Sequence, residues 1–310
     1  MLVFHLSVEL MLYILIGVYL QKRKIVNDEF ERQLSNVLLE VVLPIMIIRS
    51  MQMEITASDI RNCSFLLILC SGWVIFSFLC GQLLWYASGK GATGRIFRFA
   101  SIFTNFTFIG LPVISSVYDQ QTVFYFTIYV IPMRIALYSV CELIMTPPEL
   151  HNGKPITFSW RKLCSPPLIA VVAGLVLCLL RVNIAGTLDT VMKNISGLSL
   201  PLGMIVCGLI IGKFRLRQVF SIKAAVITAV RNLLLPGILL LFCRICNLST
   251  VVTQVAVMCA ALPTGTLLVS FASKYDGCEQ SRYESAGAVV SSTLSSAVTI
   301  PLWVWVLSIT

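Results

Sequence analysis

The sequence predicts an all-α integral membrane protein of ten transmembrane helices, arranged as two inverted five-helix repeats with broken helices 4 and 9 crossing. Three observations predict it. The 310 residues are 57% hydrophobic and only 12% charged, with a mean hydropathy of +0.90, whereas soluble domains carry about 25% charged residues. Ten apolar runs, most of them near the roughly 20 residues that cross a bilayer, follow one another through short connections. Leu-Pro and Ile-Pro pairs recur in the same order in the two halves. Too little polar surface remains for a soluble enzyme, and no soluble domain fits between the runs.

The runs cover 3–20, 34–51, 64–87, 96–117, 121–146, 165–181, 187–212, 223–246, 250–273 and 283–308. The first has no basic residue before it, no small-residue cleavage site, and Lys22, Arg23 and Lys24 directly after it. It reads as a retained span, not a signal peptide. Cytoplasmic connections are enriched in Lys and Arg. Of the 23 basic residues, 16 fall on alternate connections, beginning with Lys22 to Arg32, and five (Arg49, Arg61, Arg181, Lys193 and Arg244) fall on the others. That asymmetry places both termini outside a multi-pass protein of the cell (plasma or inner) membrane. It also spreads the +9 net charge over five short loops facing lipid headgroups, so membrane lipids are expected partners and nucleic acid is not.

The longest inside connection, 147–164, holds Pro147-Pro148, Asn152-Gly153 and Pro155 and separates a first repeat, 1–146, from a second, 165–310. Leu43-Pro44 in span 2 then corresponds to Leu200-Pro201 in span 7, Leu111-Pro112 in span 4 to Leu262-Pro263 in span 9, and Ile131-Pro132 in span 5 to Ile300-Pro301 in span 10. An odd number of spans per repeat inverts the second half. Inverted repeats recur in secondary transporters, which bind substrate at the midplane where interrupted helices meet.

Span 4 reads Thr104-Asn105-Phe106-Thr107-Phe108-Ile109-Gly110-Leu111-Pro112 and span 9 reads Leu262-Pro263-Thr264-Gly265-Thr266. Proline removes an amide donor and glycine tolerates unwound backbone, so both have the composition of a broken helix. Non-helical backbone at that depth is tolerated only where it lines a cavity or is buried in protein. Asn105, Thr107, Gly110, Pro112, Pro263, Thr264, Gly265 and Thr266 are therefore candidate substrate-binding residues, with two packed kinks and no ligand as the structural alternative. Asn105 could cap the unwound backbone or touch a ligand, and the threonines commonly bond their own backbone.

Arg134 completes the candidate set. An intramembrane charge is costly and marks function by default, and guanidinium matches carboxylate. The alternative is an ion pair with an acid on another helix, since Glu142 lies about 12 Å further along its own. Arg231, about two turns into span 8, reads as a residue reaching the inner interface. Glu9, Glu40 and Glu142 are the acids in or beside spans, and none falls at a break. That favours movement of an anion without a coupled cation, since an inside-negative potential expels each negative charge with about 2.3 kcal/mol per 100 mV. Two histidines, His5 and His151, and cysteines scattered through apolar runs offer no metal site, cofactor or catalytic arrangement.

With these residues in view, the sequence resembles the auxin efflux carrier family over essentially its whole length, particularly bacterial members that move malonate, malate or lactate. The resemblance rests on Asn105, Phe108, Gly110 and Pro112 in span 4, on Pro263 and Gly265 in span 9, and on Lys274-Tyr275-Asp276-Gly277. Ser292-Thr293-Leu294-Ser295 and Thr299-Ile300-Pro301-Leu302 in span 10 extend it, as do Pro166-Pro167, Pro201-Leu202, and Arg231 with Pro236. It departs at Thr107, where Gly is frequent, at Leu267, where some members carry Asn, and at Arg134, Tyr138 and Ser139, where Asn and a Trp-Thr pair are common. Those departures bear on the substrate. The resemblance implies a scaffold of spans 1, 2, 6 and 7, a transport domain of spans 3–5 and 8–10, and homodimers formed through the scaffold. The function implied is a secondary transporter of small organic anions, such as malate, malonate, lactate or an auxin-like acid, by elevator-type alternating access. A transport-inactive receptor binding a small ligand is the competing reading.

Overall fold

The computed structural model describes residues 2–53, 56–88, 91–147, 165–182, 184–214, 221–276 and 278–309. The connection expected at 147–164 thus lies, past Pro147, outside the described residues. The helices are α1 (Leu2–Lys22), α2 (Asp28–Ser50), α3 (Ala57–Ala87), α4 (Ala92–Ile102), α5 (Phe106–Val117), α6 (Gln120–Tyr129), α7 (Ile131–Met145) and α8 (Pro166–Leu179). They continue with α9 (Thr187–Gly212), α10 (Ile222–Ile245), α11 (Thr250–Ala261), α12 (Leu267–Phe271, extended by a wider turn to Asp276) and α13 (Glu279–Ile309). Among the described residues there is no strand. Six helices among the described residues are long and apolar enough to cross a membrane: α2, α3, α6 running on into α7, α9, α10 and α13. α5, α8 and α11 are shorter apolar helices.

Several helices begin one to two turns before their apolar runs, because capping extends them where hydropathy does not. Asn27 Oδ1 accepts the Phe30 amide at 2.8 Å to start α2. Thr56 and Asp59 form a reciprocal capping box at the start of α3. Asp59 in turn accepts the Tyr125 hydroxyl and the Gln121 side-chain amide, which fastens α3 to α6.

The proline pairs act in graded ways. Leu38–Val42 in α2, Phe106–Gly110 in α5 and Val230–Leu234 in α10 are π-type turns, each directly preceding a Leu-Pro pair. Proline offers no amide to the ladder and crowds the carbonyl four residues back, and widening the turn relieves both. Pro301 instead sits inside a continuous α13. Only the pairs at Pro112 and Pro263 accompany a true break.

Packing divides the helices into two groups. α1 lies along α9, α8 along the second half of α2, and the start of α9 against that same half. A Cβ on Gly208 would overlap the Ile14 carbonyl oxygen, and one on Gly17 the Ile205 carbonyl oxygen, so α1 and α9 touch backbone to backbone. Such contact is how helices associate where hydrophobic burial offers no drive. At the basic-rich end, Lys213 bridges Glu31 at 2.6 Å and Asp28 at 3.0 Å. Partial burial disfavours the Lys213 ammonium, but the hydrogen bonds and charges of Glu31 and Asp28 outweigh it and hold its pKa above the ordinary lysine value. The second group joins α3 to α4, α6 and α7, α10 to α11 and α13, and α6 to α11. The two groups meet where α9 crosses α5, where α1 faces α13, and where the end of α2 faces α6.

Gly208→Leu should separate α1 from α9 and lower the melting temperature in detergent by the equivalent of about 3 kcal/mol or more. Gly72→Ala, on α3 with no atom within 4 Å of the new Cβ, should leave it unchanged. A melt of Gly208→Leu matching the unsubstituted chain would show that the close contact is dispensable.

Candidate functional site

α4 stops at Ile102 and α11 at Ala261, both in the buried interior. Beyond each, the chain runs extended, with Phe103 at φ −102°, ψ 117° and Leu262 at φ −66°, ψ 147°. Those segments pair antiparallel at Thr104 and Thr264. The Asn105 amide donates to the Pro263 carbonyl at 2.8 Å, and the Gly265 amide to the Phe103 carbonyl at 3.1 Å. Each break thus supplies partners that the other lacks, as apolar surroundings require. Gly110 admits this approach, since a Cβ there would sit 2.6 Å from Leu262 Cδ1 and 3.0 Å from Phe126 Cζ. At Gly265 a Cβ would come within 3.3 Å of the Thr104 carbonyl oxygen.

Asn105 caps α5. Its Oδ1 accepts the Phe108 amide at 3.2 Å, while Nδ2 faces Cys207 Sγ on α9 at 3.7 Å. On the other break the Thr264 amide donates to Ser292 Oγ at 3.2 Å, so α13 supplies that cap. Thr264 Oγ1 is buried with no hydrogen-bond partner among the described residues. Pro112 and Pro263 are buried beside the crossing, Thr266 is buried at the start of α12, and Thr107 is half-buried. The structure therefore brings Asn105, Gly110, Pro263, Thr264 and Gly265 together as one backbone junction.

Arg231 requires a correction. Expected to reach the inner interface, it is fully buried at 0% exposure. Its Nε donates to the Leu262 carbonyl at 3.2 Å and its Nη1 to the Ser101 carbonyl at 3.1 Å. These carbonyls belong to the ends of α11 and α4, where helices leave acceptors unpaired and carry partial negative charge. Depth alone gave no warning of this. The signal available was Pro236, because the π-type turn that precedes Leu235-Pro236, Val230–Leu234, contains Arg231.

Arg134 is also buried, at 6% exposure. Its guanidinium carbon lies 5.3 Å from the centre of the Phe106 ring, and Nη1 donates to Ser165 Oγ at 3.4 Å. It has no carboxylate partner among the described residues, and the side chain of Glu142 lies outside them.

A cavity of about 530 Å³ opens at the end opposite Lys213. Glu9 and Tyr13 of α1, Arg49 of α2, Ser115 and Ser116 of α5, and Lys193 of α9 line it. Its lining comes from both packing groups, and further along α9 a Cβ on Gly203 would overlap the Phe108 carbonyl oxygen, so α9 packs closely on the start of α5. Arg49 Nε contacts Asp189 Oδ1 at 3.1 Å, whereas Lys193 has no ion-pair partner among the described residues. Gln120 spans the groups at this rim, donating to the carbonyls of Arg49 and Gln52, both at 2.9 Å. Of the residues proposed from sequence, none lines this cavity. Arg49 and Lys193 were nonetheless marked, as two of the five basic residues on the basic-poor connections.

A family model described as membrane transport protein matches residues 2–304. The chain belongs to the auxin efflux carrier family. It is thus a multi-pass membrane transporter, and the match includes the crossing, Arg134, Arg231 and the cavity. A search of curated proteins finds no match.

Within this auxin efflux carrier family member, Asn105→Ala should cost about 0.5–2 kcal/mol through the lost cap and speed amide exchange at 106–110. Asn105→Ser, which keeps an acceptor, should restore most of both. Exchange unaltered by the alanine would refute the capping role.

Proposed function

We propose that the chain is a secondary carrier of small organic anions, carboxylates such as malate, malonate, lactate or an auxin-like acid, working by elevator-type alternating access. The observation that carries this reading is the cavity between the two packing groups, with Arg49 and Lys193 on its wall. A cavity of about 530 Å³ is ample for a few-carbon acid. Serine hydroxyls at 115 and 116 would complement carboxylate oxygens, and the two cations would draw the anion in.

In this reading α1, α2, α8 and α9 are the scaffold and the other helices the moving transport domain, with homodimers formed through the scaffold. Residues 1–146 and 165–310 are two inverted five-span repeats. In support, both breaks fall at equivalent places in the halves. Basic-rich connections face the cytoplasm of the plasma or inner membrane, which leaves both termini, and the cavity, outside. Asn105, Thr107, Gly110, Pro112, Pro263, Thr264, Gly265 and Thr266 form the substrate-side wall of the crossing as the transport domain shifts. Arg134 is the cation on its other side: Cys178 of α8 donates to the Met53 carbonyl near the cavity end, so Ser165, at the opposite end of α8, holds Arg134 toward the basic-rich face.

Reconstituted in liposomes, the protein should give saturable current on addition of one of these acids. Arg134→Gln should abolish saturable carboxylate binding with folding intact, and Lys193→Gln should weaken apparent affinity about tenfold, equivalent to about 1.4 kcal/mol. Binding without flux from any acid would point to a receptor, and unchanged affinity in both variants would remove the arginine and lysine from the site.

A further inference from the structure

We infer that Arg231 is a resident cation, occupying at the helix crossing the place that a dissociable metal cation takes in other carriers, so that this protein holds its crossing together without sodium. The acceptors come first. Where discontinuous helices meet in transporters, half-helix C-terminal ends and unwound carbonyls coordinate the coupling ion. Here the corresponding carbonyls are those of Ser101, in the last turn of α4, and Leu262, just past α11. One guanidinium joins them, at 3.1 and 3.2 Å.

Three further features fit this role. Arg231 has no solvent exposure, so its charge is committed to this place. Among the described residues it forms no ion pair, and no cluster of acids or other metal ligands stands ready for a second cation. A planar fork can reach two separate carbonyls at once, which a point charge on a lysine stem cannot do as well. Arg231 Nη2 remains without an acceptor, and Thr264 Oγ1 is likewise unpartnered. Thr264 Oγ1 and the neighbouring Asn232 Oδ1 are oxygens that can still accept a hydrogen bond, so the resident cation rests on the two carbonyls that Arg231 already occupies.

A tethered cation cannot leave during the cycle. Resting on the carrier reading above, it follows that no metal cation leaves the crossing during turnover, and that sodium neither drives nor permits transport. The cation role itself needs no substrate, and the test begins there. Purified protein is melted in detergent in sodium, potassium or choline chloride at one ionic strength, and its melting temperature should be the same in all three. Arg231→Ala exposes the two carbonyls and should melt roughly 10 °C lower. Low millimolar guanidinium should recover at least half of that loss. Gly208→Leu, destabilised elsewhere, should gain nothing from guanidinium, which separates refilling of the site from a general salt effect.

If Arg231→Ala yields no folded protein, carboxylate flux of the unsubstituted chain in sodium against choline, at fixed membrane potential, decides the matter. Equal flux supports the resident cation. Sodium-dependent flux, sodium-dependent stability, or an alanine variant that guanidinium does not stabilise would each overturn it. Guanidinium rescue in a protein that moves no acid would leave the Arg231 assignment standing and sink the carrier reading instead.

Discussion

The structure depends on one constraint: backbone amides and carbonyls in an apolar interior must find partners within the protein. Helices meet it internally, and the two places where they stop meet it through each other, by the antiparallel pairing of Thr104 with Thr264. What the pairing leaves over is absorbed by side chains, each from a different helix. Asn105 covers an amide of α5, Ser292 of α13 covers Thr264, and Arg231 of α10 covers the carbonyls of Ser101 and Leu262. The positions of α10 and α13 around the junction follow from the groups they must supply.

Surrounding contacts are graded in a way that suits a transporter. Inside the first packing group, α1 and α9 lie so close that glycine alone fits at 17 and 208. Between the groups the links are mixed: α1 faces α13, α9 meets the Phe108 carbonyl backbone to backbone at Gly203, and at single points the side-chain amides of Asn105 and Gln120 reach a cysteine sulfur and two carbonyls at the cavity rim. A contact of one side-chain amide is far easier to exchange than a backbone seam, so relative movement is least costly where the cavity already separates the groups.

Much of the fold was legible in the sequence, because apolar run length and proline position act locally. The runs located the helices, and Pro112 and Pro263 located the breaks. Their ends were misjudged where capping by Asn27 and Thr56 carries α2 and α3 past the apolar stretch, since hydropathy is blind to caps. The candidate site was legible in part. Asn105, Gly110, Thr264 and Gly265 do converge, yet Arg231 was misread because its partners are carbonyls, which every residue has and no residue type advertises. The cavity residues Ser115, Ser116 and Gln120 were missed for a related reason: common polar residues at helix ends acquire meaning only when distant helices bring them to one wall.

The pairing of the breaks also orders events during synthesis. Thr104 and Thr264 are about 160 residues apart in the chain, so the first half enters the bilayer with the carbonyls and amides beside Phe103 still open. At about 5–20 residues per second, that gap lasts on the order of ten seconds. During it, the unfinished seam must be sheltered by lipid-embedded helices, by water, or by the insertion machinery. This buried backbone contact is therefore among the last to form, and biogenesis of the second half completes the first.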